Sequence, residues 1–125
     1  MSKIICDTNI LIHLTKGNIE TIKAIQEIGE ANVVLTSITV MELTRGMKNK
    51  KELQQLHKKI NNINVLHFND AISFLAMNLI SKFHLSHGLE IPDAIIAATA
   101  MNYSIPLFTY NTKDFKFISG LKLHK

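Results

Sequence analysis

The run from Pro92 to Met101 most constrains the fold of this 125-residue chain. Pro92 and Asp93 open a helix, and proline suits a first helical turn, where its missing N–H costs nothing. Behind them, Ala94 to Met101 is apolar on nearly every side. A helix without a polar face has to be buried. Around it, short apolar runs alternate with helical patterns. Residues 3–6, 32–35, 63–68 and 105–109 read as strands, and 121–124 as a last strand at an edge. Helices are expected over 10–14, from Asn18 to the stop at Gly29, from Thr36-Ser37 to about Met47, and from the Lys48–Lys51 run through Ile60. Asn69 caps the helix with the cleanest spacing, Ile72, Leu75, Ala76, Leu79, Ile80 and Phe83. Residues 84–91 read as a loop around Gly88, and 111–115 as a turn or short helix. Strands alternating with helices predict an α/β fold. The expected form is a three-layer α/β/α sandwich on a mainly parallel central sheet of four to five strands. With no internal repeat or interdomain linker, residues 1–125 are expected to form a single domain.

Several classes are excluded by counting. One cysteine, Cys6, cannot make an internal disulfide, so a stapled secreted scaffold is excluded. No apolar stretch reaches the roughly 20 residues of a membrane span. The acid at position 7 interrupts any signal-peptide core, so a cytoplasmic protein without membrane contact is expected. Fourteen Lys and Arg against ten Asp and Glu give +4. Such a surface fits a polyanionic partner, nucleic acid first, and is also common among small soluble proteins.

In open parallel sheets, ligands bind beyond the carboxyl ends of the strands. Asp7 directly follows the first strand, where it also suits an N-cap. Glu42 lies in the early turns of the helix after the second strand, where it could instead pair with Arg45 at i, i+3. Asp93 opens the apolar helix, where it also complements the helix dipole. Asp114 follows the fourth strand and could be an ordinary loop acid. Taken together, the four are placed for one edge of the sheet. Gathered carboxylates repel and take up protons unless a cation neutralises them. A hard divalent cation does so through oxygen ligands. With these four set aside, fourteen cations face six anions. An acidic, metal-loaded pocket on a basic body fits phosphodiester hydrolysis.

Four segments carry a family resemblance: Ile-Ile-Cys-Asp-Thr-Asn-Ile-Leu-Ile (4–12), Thr-Ser-Ile-Thr-Val-Met-Glu-Leu (36–43), His-Gly-Leu-Glu-Ile-Pro-Asp-Ala-Ile-Ile-Ala-Ala-Thr-Ala (87–100) and Phe-Thr-Tyr-Asn-Thr-Lys-Asp-Phe (108–115). Their order and spacing resemble PIN-domain proteins, specifically VapC-type toxins of toxin–antitoxin pairs. The resemblance implies a metal-dependent endoribonuclease. Asp7, Glu42 and Asp93 match the family's three main acids, and Asp114 matches the more variable fourth. It implies that they hold Mg²⁺ or Mn²⁺ and that water attacks the phosphodiester in line, leaving 5′-phosphate and 3′-hydroxyl ends. Thr8, Asn9, Thr109 and Asn111 match polar positions lining or supporting the pocket. An antitoxin partner and a homodimer are implied as well. The loop after Lys82 departs from the family in lacking an arginine. The alternative is a catalytically silent module of the same fold that binds RNA or protein.

Other residues have competing readings. Arg45, Lys48, Lys50 and Lys51 are candidate RNA contacts or a solvated face. His84, His87 and Glu90 have a spacing that invites a transition metal, but Gly88 and Pro92 interrupt the helix that would align them. His13 faces the pocket or caps its short helix. Cys6 reads as a small core residue. A phosphatase reading needs an acid at the third position of the first motif, where Asn9 stands.

Overall fold

A computed structural model describes residues 2–125; Met1 of the expected 1–125 domain lies outside the described residues. The chain runs β1 (Ile4–Cys6), α1 (Thr8–Thr15), α2 (Ile19–Ile28), a 3₁₀ turn (Glu30–Asn32), β2 (Val33–Thr36), α3 (Ser37–Arg45), α4 (Lys50–Ile60), β3 (Asn64–Leu66), α5 (Asp70–His87), α6 (Ile91–Tyr103), β4 (Leu107–Phe108) and a second 3₁₀ turn (Thr112–Asp114). The sheet order is β3-β2-β1-β4, with every neighbouring pair parallel. Among the described residues four strands form the sheet, the lower of the two expected numbers. The expected last strand shrinks to one bridge, Leu107 to Leu123, held by two backbone bonds.

The three layers follow from the two-residue period of the strands. Ile5, Val34 and Leu107 point into one core with the buried faces of α5 and α6. Ile4, Cys6, Val33, Leu35 and Phe108 point into the other, with Ile10 of α1 and Ile25 of α2. As expected from its all-round apolarity, α6 is the most enclosed helix: Ala94, Ile96, Ala97, Ala98, Thr99 and Ala100 are all buried.

Local chemistry moves several boundaries. Helix α1 starts at Thr8 because Asp7, rather than Thr8 or Asn9, is its N-cap. Strand β4 is shorter than 105–109 because Pro106 has no N–H to donate, though its carbonyl accepts from Ile5 N–H. Strand β3 spans only 64–66. The loop expected over 84–91 is corrected to three residues: α5 continues to His87, where Gly88, at φ 65°, supplies the left-handed cap. Helix α3 stops at Arg45 rather than Met47, with Gly46 as its cap.

Candidate active site

Strand β1 lies between β2 and β4, and the chain leaves it toward β2 first, so the crevice beyond its carboxyl end is a switch point in the sheet. Asp7 sits there, only 5% exposed. Its Oδ1 accepts from Thr8 N–H at 2.8 Å. Its Oδ2 accepts from Thr109 Oγ1 at 2.8 Å and Asn9 Nδ2 at 3.1 Å. Asn9 also takes the N–H of Tyr110 on its Oδ1 and donates to Thr109 Oγ1. Asn111 N–H donates to that same Thr109 oxygen. Parallel pairing of Cys6 with Phe108 puts the residues after β1 beside those after β4, and so makes this network. Burial pushes the Asp7 carboxyl above its ordinary range. Hydrogen bonds from Thr109, Thr8 and Asn9 work against that rise, and the Glu42 charge adds to it.

Glu42 projects from the second turn of α3, which Thr36 caps by accepting from Thr39 N–H. In place of the alternative i, i+3 pairing with Arg45, its Oε1 accepts from Thr8 Oγ1 at 2.7 Å. Thr8 therefore binds two acids, one through its amide and one through its hydroxyl.

Asp93 lies half-buried in the first turn of α6. Its pKa is raised to about 7, first by burial and then by the charges of Asp7, Asp114, Glu42 and Glu90. The four predicted acids thus share one electrostatic neighbourhood, with Asp114 on the exposed 3₁₀ turn after β4. Glu90 is a fifth member that the sequence reading placed only in a histidine–metal alternative. It occupies the N-cap position of α6 without a side-chain capping bond, which leaves its carboxylate unengaged there. Its position three residues before Asp93, across the helix start, was the available signal.

These side chains offer only oxygen donors, the chemistry of a hard divalent cation. Among the described residues, no three His, Cys, Asp or Glu side chains close into a cage.

The other candidates take the following positions. Arg45 ends α3, and Lys48, Lys50 and Lys51 lie at the start of α4 or just before it, all four exposed. His13 stands in the last turn of α1, edge-on to Tyr110 with centroids 5.0 Å apart. Cys6 is fully buried, and desolvation with the neighbouring Asp7 charge pushes its thiol up to about 12, so it is a core residue.

The sequence matches the family model described as PIN domain over residues 4–120. It is 30% identical to a protein called Ribonuclease VapC from Rickettsia bellii, across 96% of this chain and 93% of that one. It is 29% identical to Ribonuclease VapC1 of Methanocaldococcus jannaschii, across 98% and 88%. Among solved structures, a toxin–antitoxin complex from Klebsiella pneumoniae contains a chain that superposes with a TM-score of 0.81 at 32% identity, covering 95% of each chain. VapBC2 from Rickettsia felis, bound to a DNA fragment from its promoter, gives 0.80 at 25% identity, covering 97% and 96%. With an acid after β1, an acid on α3 and an acid opening α6 at one sheet edge, and with this likeness over nearly its whole length, the chain belongs to the PIN-domain family, among its VapC members.

Proposed function

We propose that residues 1–125 are a single PIN domain that hydrolyses RNA phosphodiester bonds as a Mg²⁺- or Mn²⁺-dependent endoribonuclease, the toxin of a toxin–antitoxin pair. The observation that carries this reading is the half-burial of Asp93 among the like charges of Asp7, Asp114, Glu42 and Glu90: burial first, and then those charges, raise its pKa to about 7. A site that holds carboxylates against their own repulsion is arranged for a cation. The relatives called ribonuclease and the solved toxin–antitoxin complex support the substrate class and the antitoxin partner. Pairing of two copies and a cytoplasmic location complete the proposal. Among the described residues no helix is long and apolar enough to cross a membrane.

Asp7, Glu42, Asp93 and Asp114 would hold the ion. When bound, it supplies positive charge to the phosphoryl centre and lowers the pKa of water. The chain supplies position. Thr109, Asn9 and the Thr8 amide fix both oxygens of Asp7, and the Thr8 hydroxyl fixes Glu42. Both carboxylates are thus oriented before substrate arrives. Hydrolysis forms a bond from the water oxygen to phosphorus and breaks the bond to the 3′ oxygen, which leaves protonated. Arg45, Lys48, Lys50 and Lys51 contribute phosphate contacts on the exposed side.

The test is cleavage of a structured RNA pool in Mg²⁺, in Mn²⁺ and in excess EDTA, by the wild type and Asp7→Asn. Cleavage that needs both the metal and Asp7 establishes the reading. Cleavage that survives EDTA and Asp7→Asn removes the four acids from the mechanism. A folded wild type inert toward RNA in every arm favours the silent binding module.

A further inference from the structure

We infer that His87, stacked on Phe117, is a platform for an unpaired nucleobase of the RNA beside the acidic site. The inference rests on the ribonuclease reading above and adds a substrate-binding group to it. The imidazole of His87 and the ring of Phe117 lie nearly parallel, 13° apart, with centroids separated by 4.1 Å. Phe83 meets both rings edge-on, at 5.8 Å from His87 and 5.0 Å from Phe117. Phe117 is the half-buried under-layer and His87 the exposed outer ring. One face of the imidazole is therefore covered, and the other is left to solvent. Ser86 Oγ lies 2.7 Å from His87 Nδ1 and helps to hold the ring.

The supports are stiff on both sides. His87 ends α5, where Gly88 N–H bonds to His84 O and Leu89 N–H to Phe83 O. Phe117 lies between two core anchors, Phe115 and Ile118, in a series of turns whose amides bond to Thr112 O and Phe115 O. Both supports lead directly to the site. Gly88, Leu89 and Glu90 alone join His87 to α6, and Phe117 is three residues beyond Asp114. Glu90 and Asp114 are both close enough to Asp93 to act on its charge. The aromatic pair thus bridges the two segments that flank Asp93.

The chemistry of this surface matches single-stranded RNA. Splayed bases are recognised by stacking on Phe, Tyr, Trp or His rings or on Arg guanidinium planes. The chain has one arginine, on α3, so stacking at this rim falls to the aromatic rings. Lys82 Nζ stands 5.4 Å from the Phe83 ring centroid, placing a cation beside the platform for the adjoining phosphate. An exposed ring backed by a second ring and flanked by a cation is built to receive a third flat group.

The chain contains no tryptophan, so His87→Trp places a single reporter at the platform. In Mg²⁺, and on an Asp7→Asn background that blocks cleavage, its fluorescence is titrated with a short unstructured oligoribonucleotide and with an abasic ribose-phosphate strand of equal length. Quenching by the first and not the second is the expected result. Labelled-RNA anisotropy on the same background then compares His87, His87→Ala and His87→Phe, each checked for folding by circular dichroism. Alanine weakens binding about fivefold or more, the scale of one lost base stack, and phenylalanine restores it. Equal quenching by the abasic strand, RNA binding without quenching, or undiminished binding by His87→Ala each overturn the platform. Failure of the wild type to cut RNA would instead defeat the nuclease reading, while these binding measurements still decide the platform.

Discussion

Thr109 Oγ1 donates to Asp7 Oδ2 at 2.8 Å, joining residues 102 positions apart in the chain. Thr109→Val keeps the shape of the side chain and deletes this donor. The buried Asp7 carboxylate then retains only Thr8 and Asn9. We expect a stability loss of about 1.5–3 kcal/mol at neutral pH, the usual scale for a hydrogen bond to a charged group. The bond favours the ionised form, so the loss diminishes as acid protonates Asp7. RNA cleavage falls by about tenfold or more, as when a group orienting a metal ligand is removed. Urea unfolding at several pH values, with cleavage rates, checks this. A variant as stable and as active as the wild type would show that the Thr109 bond does not hold Asp7.

Asp93 gives the opposite sign. Its folded pKa is about 7, above the ordinary 3.8, so the folded chain holds this proton more tightly than the unfolded chain does. Ionisation of Asp93 therefore costs stability progressively as pH rises from about 4 to about 7, and the cost is constant above that. In metal-free protein, Asp93→Asn is expected to melt higher than the wild type at pH 8. The gap closes below about pH 4, under both pKa values, where Asp93 is neutral in both states. The same variant loses cleavage. Melting curves across this pH range in EDTA are the measurement, and a variant less stable than the wild type at pH 8 would contradict the electrostatic account.

Cation binding should release the Asp93 proton. Below pH 7 the carboxyl is mostly protonated, and a divalent ion has to displace that proton. Apparent Mg²⁺ affinity is thus expected to rise between about pH 6 and pH 8. Calorimetry in buffers of different ionisation heat reads the proton count directly. Release near pH 6.5 that vanishes in Asp93→Asn identifies the group, whereas release unchanged in that variant assigns it elsewhere.

Elements with a local cause were legible in the sequence. Asn18, Thr36 and Asn69 cap α2, α3 and α5 through their own side chains, as their residue types imply. The apolar faces of α5 and α6 followed from spacing alone. The four acids were legible because each follows a strand or opens a helix. The resemblance also picks out Thr8, Asn9, Thr109 and Asn111 as polar positions of the pocket, but not which atoms they meet. Asn9 meets Tyr110, and Thr109 meets Asp7, only because β1 and β4 pair in one particular register. Strand register between residues 100 apart leaves no local signature. The end of α5 was misplaced for a subtler reason. His84, Ser86 and His87 look like loop residues, yet the left-handed cap lies beyond them at Gly88. That same extension brings His87 onto Phe117.

Thr8 offers the sharpest separation of geometry from charge. Its hydroxyl holds Glu42 Oε1 at 2.7 Å, while its amide, which no side-chain substitution removes, holds Asp7 Oδ1. Thr8→Val should therefore leave Asp7 in place and release only Glu42. An exposed glutamate freed of its one fixed contact samples several rotamers, and orienting it again on each turnover costs rate. Cleavage is expected to fall several-fold, with little change in melting temperature because the lost bond lies at the surface. Thr8→Ser, which keeps the hydroxyl, should restore most of the rate. If serine and valine lower cleavage equally, the methyl packing of Thr8 matters rather than its hydrogen bond, and the orientation of Glu42 is set by some other group.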